Sequence, residues 1–338
     1  MPDPIATLDE MRRILAMLPG PDLAAGAAAA ERERRLTKPA GALGRLEAVA
    51  EWLATWQGRH PPDVRRPRTI VFAANHGVAA RGVSAYPQAV TQQMMANFAA
   101  GGAAVNQICT SVDADLRVYE LDLEHPTADF TTGPAMTEEG CARAMAYGMM
   151  AVEPGVDLIA LGEMGIGNTT AAAALALALF GGAATDWVGP GTGVAGRALA
   201  AKTAAVAAAV AANGAAGDPF ETMRRLGGYE LAAIAGAVMA ARLARIPVLI
   251  DGYAATAAAA TLFAADPRAL DHCLVGHCSA EPGHRRLLDR LGQEPLLDLG
   301  MRLGEGSGAT LAIALVKAAA ACHAGMATFA EAGVSGPA

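Results

Sequence analysis

The stretch Val156–Thr170, VDLIALGEMGIGNTT, restricts the folds open to this chain more than any other. Its first part, Val156 to Leu161, is short, apolar and β-branched at its start, which predicts a buried strand. Gly162, Gly165 and Gly167 let the backbone turn sharply afterwards, and Asn168, Thr169 and Thr170 are suited to cap the Ala/Leu-rich helix Ala171 to Phe180. A helix N-terminus behind a glycine loop offers free amide hydrogens and a partial positive charge, and both favour a phosphate. Glu163 stands in that loop. A carboxylate beside a phosphate costs electrostatic energy, so Glu163 is expected to face another part of a ligand; the alternative is an ordinary turn with a surface Glu.

The same alternation of apolar runs and helical patterns continues on both sides. Thr69–Ala74, Leu116–Leu123, Ile246–Ile250 and Leu270–Val275 read as further strands, with helices between them. The first helix, Leu8–Leu18, places Leu8, Met11, Ile14, Leu15 and Leu18 at helical spacing and stops at Pro19-Gly20-Pro21. Another follows the turn Thr37–Glu47 and carries Leu46, Val49, Leu53 and Trp56 on one face. Such a chain predicts an α/β fold, a mostly parallel, Rossmann-like sheet covered by helices. The helical N-terminal segment, 1–60, and the final helices, 306–338, are expected to meet as a smaller helical domain beside the α/β domain, 61–305.

Composition narrows the class of partner. At 338 residues, 53% hydrophobic and with mean hydropathy +0.28, the chain can bury a large core. A net charge of −7 without a basic stripe argues against nucleic acid or an anionic membrane surface. Five cysteines without a CxxC pair fit a reducing compartment, and the acidic N-terminus is unlike a signal peptide, so a cytoplasmic protein is expected. Met164–Thr185 is uncharged, yet its polar residues and glycines make a membrane span a poor reading.

Several side chains invite chemistry. Asn75-His76-Gly77 follows the strand at Thr69, and His76 is a candidate base, although a lone His is more often a hydrogen-bonded structural residue. Ser84 and Gln92 are polar-contact candidates in the next segment; Lys38, Arg45 and Lys202 are candidate anion ligands. Residues 191–196 match GxGxxG, but a proline interrupts the turn and Ala183–Val188 is a poor strand, so a dinucleotide fingerprint is a weak reading. His272, Cys273, His277, Cys278 and His284 suggest a metal, and their spacing resists it. Glu305 lies between Gly304 and Gly306, sterically open to a ligand just before the helix Thr310–Ala321.

Seven blocks in order, KPAGALGRLE from Lys38, NHGVAARGVSAYPQAVTQQMMANFAAGGAAVN from Asn75, GEMGIGNTT from Gly162, GPGTGV from Gly189, GGYELAAIAG from Gly227, HCSAEPGH from His277 and LGEGSGA from Leu303, resemble nicotinate-nucleotide:dimethylbenzimidazole phosphoribosyltransferases. The resemblance spans roughly Lys38 to Ala321 and departs from many members at Asn75, where they carry Asp. It implies transfer of the 5-phosphoribosyl group of nicotinate mononucleotide to 5,6-dimethylbenzimidazole, giving α-ribazole 5′-phosphate and nicotinate for cobalamin assembly. It implies Glu305 as general base and Glu163 as a second acidic group, with Ser84, Gln92 and Met164 at the benzimidazole. Gly165, Gly167, Asn168, Thr169, Gly191, Thr192, Gly193, Lys202 and Ser279 would hold ribose and phosphate, in a homodimer that needs neither metal nor cofactor. A nucleotide-binding regulatory protein and a dehydrogenase built on Gly191 are the competing readings. Glu305 separates them, because a pure binder has no need of a carboxylate in an open glycine loop.

Overall fold

The computed structural model describes residues 7–214 and 217–336. All five expected strands form: β1 Pro67–Ala73, β2 Asp115–Glu120, β3 Leu158–Met164, β4 Val248–Ile250 and β5 Cys273–Val275. They make one parallel sheet in the order β2-β1-β3-β4-β5, with Phe72 opposite Glu163 and Leu161 opposite Ile250. The chain moves outward from β1 to β2 and then crosses back to β3, so the order reverses beside β1. In open α/β sheets this is the crevice that takes ligands. The strand Leu270–Val275 is shorter than its apolar run, because Pro267–Leu270 forms a 3₁₀ turn first.

Alternating side chains divide the core. Ile159 and Leu161 join Ile70, Phe72 and Ile250 beneath the helices Glu138–Met150, Asn168–Phe180, Tyr229–Leu243 and Tyr253–Ala265. Leu158 and Ala160 face the other way, against Ala309, Ala312, Ile313 and Val316 of the helix Ser307–Gly325 and Val49 and Leu53 of the helix Arg45–Gln57. Small residues bring the helices into backbone contact. A Cβ on Gly148 would lie 1.8 Å from the Ala233 carbonyl oxygen, and one on Gly236 would lie 1.9 Å from that of Met145.

On the second face Leu23–Arg35, Arg45–Gln57 and Ser307–Gly325 pack together. A polar chain, buried at His323 and Glu33, joins them: His60 Nε2 lies 3.0 Å from His323 Nε2, and His323 Nδ1 lies 2.7 Å from Glu33 Oε1. Lys38 pairs with Glu33 and Glu47 at 3.0 and 2.7 Å, so it holds helices together and is neither simply solvated nor free for an anion. Arg45 likewise donates to the backbone carbonyls of Glu294 and Pro295. The first helix, Leu8–Ala16, departs from this group and packs on Glu138–Met150 and Pro219–Leu226. Ser307–Gly325 is long and apolar enough to cross a membrane, and its apolar face lies against the sheet.

Candidate active site

A cleft of about 670 Å³ opens at the carboxyl ends of β3, β4 and β5. Its floor is Glu163 and Met164, the last two residues of β3. The strand therefore runs through Gly162 to Met164 instead of stopping at Leu161. Gly162 stays in the strand for a packing reason: a Cβ there would sit 2.1 Å from the Gly306 nitrogen. That close approach lets the loop carrying Glu305 dock on β3, where the Glu305 N–H donates to the Glu163 carbonyl at 3.1 Å.

Glu163 and Glu305 thus share one wall of the cleft, both buried. The Asn168 side-chain amide donates to Glu163 Oε2. Burial, and then the negative charges of Asp251 and Glu230, push the Glu163 carboxyl well above its usual range, against the opposing Asn168 bond. Glu305 has a left-handed backbone, φ 63°, and its Oε2 has no hydrogen-bond partner among the described residues. Burial raises its pKa too, while the Val105 backbone amide at a helix start opposes the shift.

The glycine loops use more of their own amides than expected. Asn168 N–H donates to Gly165 O, Thr170 N–H to Gly167 O and Ile166 N–H to Thr91 Oγ1. Asn168, Thr169 and Thr170 form the first helical turn, and the cap is Gly167 at φ 104°. In the second loop Gly193 N–H donates to Pro190 O, and Gly191 N–H to Glu281 Oε1 at 2.8 Å. Ala184–Asp186 before it is a 3₁₀ turn, so GxGxxG here follows no strand.

Of the expected contacts, Gly165, Asn168, Thr169, Gly191, Thr192, Ser279 and Met164 line the cleft with the two glutamates. Gly167 and Gly193 shape the loops from outside the lining, and Ser84 reaches Thr192 Oγ1 at 2.9 Å. Gln92 is not brought in. Val90 and Met94 line the cleft one helical turn apart, and Gln92, midway between them, is turned about 200° away and exposed. Lys202 also lies off the wall. Fully buried behind the loops, its ammonium donates to Thr169 Oγ1 at 2.8 Å and the Gly189 carbonyl at 2.9 Å. Burial lowers its pKa to about 8, with Glu281 opposing the shift.

Other lining residues take no substrate-binding role from the sequence, although most lie within the seven blocks that carry the resemblance. Glu281 is buried and raised in pKa by burial, which Lys202, the Gly191 amide and Arg302 oppose. His277 lies 3.4 Å from Asp251 Oδ1; burial favours its neutral ring, but Asp251 outweighs this and raises its pKa. Tyr86, Val90, Met94, Ile166 and Leu303 supply apolar surface, and Arg302 donates to the Gly191 carbonyl at 2.7 Å.

The remaining histidines are structural. His76 and Glu230 form a fully buried pair at 2.6 Å beneath Gly165, and Asn75 donates to the Leu123 carbonyl. His272 bonds the Val238 carbonyl. His284 accepts the Ser279 N–H and contacts Thr256, and burial lowers the pKa of both histidines to about 3.

An α/β sheet with a polar-rimmed, apolar-walled cleft at its carboxyl edge and paired buried carboxylates defines a phosphoribosyltransferase here, since the family profile described by that word matches residues 18–334. A Brucella anthropi protein named nicotinate-nucleotide–dimethylbenzimidazole phosphoribosyltransferase is 60% identical over 329 residues, 97% of each chain. One of the same name from Rhizobium etli is 62% identical over 97% of each chain. The crystal structure of the enzyme so named from Thermus thermophilus superposes with a TM-score of 0.86 at 44% identity, covering 93% of this chain and 99% of that one. The chain belongs to the nicotinate-nucleotide–dimethylbenzimidazole phosphoribosyltransferase family.

Proposed function

We propose that this cleft moves the 5-phosphoribosyl group of nicotinate mononucleotide onto 5,6-dimethylbenzimidazole, releasing nicotinate and forming α-ribazole 5′-phosphate for the nucleotide loop of cobalamin. In the donor the pyridinium nitrogen is already cationic. When its bond to C1 of the ribose breaks, the electron pair returns to that nitrogen and nicotinate leaves with a neutral ring, so no general acid is needed. A benzimidazole nitrogen forms the new bond from the opposite face, which turns a β-linked donor into an α-linked product. Its other nitrogen must then lose a proton, and a carboxylate that takes it stabilises the developing charge.

The observation that carries this reading is Glu305: a buried carboxylate with an unpartnered oxygen, held on an open loop at the cleft. Its raised pKa strengthens it as a base near neutrality. Glu163, its pKa pushed well above the usual range and its Oε2 accepting from Asn168, serves as a second acidic group. Met164, Val90, Met94 and Leu303 supply an apolar seat for the benzimidazole, with Ser84 at its rim through Thr192. Asn168, Thr169, Thr192 and Ser279 supply polar contacts for ribose and phosphate, and Lys202 supports them from behind. The reading includes a cytoplasmic homodimer, which the five free cysteines support as to compartment and a sedimentation measurement tests as to assembly.

The test is incubation of the purified protein with both substrates, following nicotinate and α-ribazole phosphate by chromatography and mass. Product from the wild type, and very little from Glu305→Gln, is expected. Mononucleotide binding without nicotinate release would favour a regulatory binder instead.

A further inference from the structure

The two loops that frame the cleft are joined by one side chain. Arg302 stands three residues before Glu305, in the same loop, and its Nη1 donates to the Gly191 carbonyl at 2.7 Å. Gly191 is gripped from the other side as well, since its N–H donates to Glu281 Oε1 at 2.8 Å. The carbonyl that Arg302 holds and the N–H of Thr192 belong to one planar peptide and point in opposite directions. Thr192 and Arg302 both line the cleft. An anion that accepts a hydrogen bond from the Thr192 N–H would therefore set the plane that Arg302 reads on its other edge.

The Glu305 loop needs such an outside hold. Gly304, Glu305 and Gly306 are successive left-handed residues, at φ 85°, 63° and 74°, and for Glu305 this is an uncommon conformation. Two bonds fix the loop from below: Glu305 N–H to the Glu163 carbonyl, and Ala280 N–H to the Met301 carbonyl at 2.9 Å. Arg302 adds the tie to the anion loop.

We propose that Arg302 is a positioning residue that transmits binding of the donor phosphate to the placement of Glu305. The inference rests on the reading of Glu305 as base and of the Gly189–Gly193 loop as part of the phosphate site. Part of the phosphate binding energy is then used to orient the base and is expressed in kcat, not only in KM.

The test compares nicotinate mononucleotide with nicotinate riboside, which lacks the phosphate, in wild type, Arg302→Met and Arg302→Lys, with 5,6-dimethylbenzimidazole as acceptor. In the wild type the phosphate is expected to raise kcat about 10²-fold and also to lower KM. In Arg302→Met the kcat advantage should shrink to about threefold or less while the KM advantage persists. Arg302→Lys, which can still donate to the Gly191 carbonyl, should recover part of it. Equal loss of kcat on both donors in Arg302→Met would make the residue merely structural and overturn the proposal. So would loss of the KM advantage alone, which would make Arg302 a simple phosphate ligand, or a wild type in which the phosphate does not raise kcat. No product from either donor in a folded wild type would instead overturn the functional reading beneath it.

Discussion

Glu163 and Glu305 occupy the same wall of one cleft, yet their backbones give them different chemistry. Glu163 ends a central strand, pairs through its backbone with the Glu305 loop and bonds Asn168 through its side chain. Two neighbouring carboxylates, Asp251 and Glu230, add to the burial that raises its pKa. Glu305 sits in a left-handed loop with one oxygen unpartnered, and a helix-start amide limits its upward shift. Two buried glutamates need not share a role: the strand end holds one carboxyl in a hydrogen bond, and the loop leaves the other with a free oxygen for the base proposed above.

The largest effect should come from replacing the two carboxyls by amides in turn. Glu305→Gln is expected to lower kcat by a factor on the order of 10² or more with little change in KM, while Glu163→Gln costs about tenfold or less. Steady-state kinetics on both substrates measure this, and equal losses would erase the distinction between the two sites.

The pH profile separates the same two carboxyls. The base works only when ionised, so kcat/KM of the wild type should fall about tenfold per pH unit below the raised pKa of Glu305. That acid limb should vanish in Glu305→Gln and remain in Glu163→Gln. A limb that disappears with Glu163 instead would reverse the assignment.

Forcing the two regions apart should cost stability. Gly162→Ala presses a Cβ against the Gly306 backbone, and overpacking of this kind costs about 1–3 kcal/mol. Urea denaturation measures it, and an unchanged midpoint would show that the Glu305 loop does not bear on β3. The smallest effect concerns the support behind the loops. Lys202 sheds its proton at about 8 when folded, against an ordinary value of 10.5, so between these values the unfolded chain binds more protons and stability rises with pH. Lys202→Met should flatten that rise in denaturation series across this window.

Much of this architecture is legible without coordinates. The five strands are short apolar runs, and Glu305 announces itself by its two glycines. Where the chain alone could not place a side chain, spacing or solvation decided. Gln92 shares a helix with Val90 and Met94 but not their face. Lys38 and Lys202 are cations whose partners, Glu33, Glu47, Thr169 and the Gly189 carbonyl, come from the folded surroundings. Glu281, inside the block HCSAEPGH, and Arg302, just before LGEGSGA, carry no role legible along the chain and join the site because both reach Gly191, about ninety and about a hundred and ten positions away.

The parallel α/β sheet, the family and the two glutamates are written along the chain itself, because periodicity and glycine placement are local properties. Which glutamate is free to act, and which cations face the cleft, are settled by folding alone. Those depend on burial, on neighbouring charges and on hydrogen-bond partners, and all three are supplied by segments far apart in the chain that meet only when the sheet is assembled.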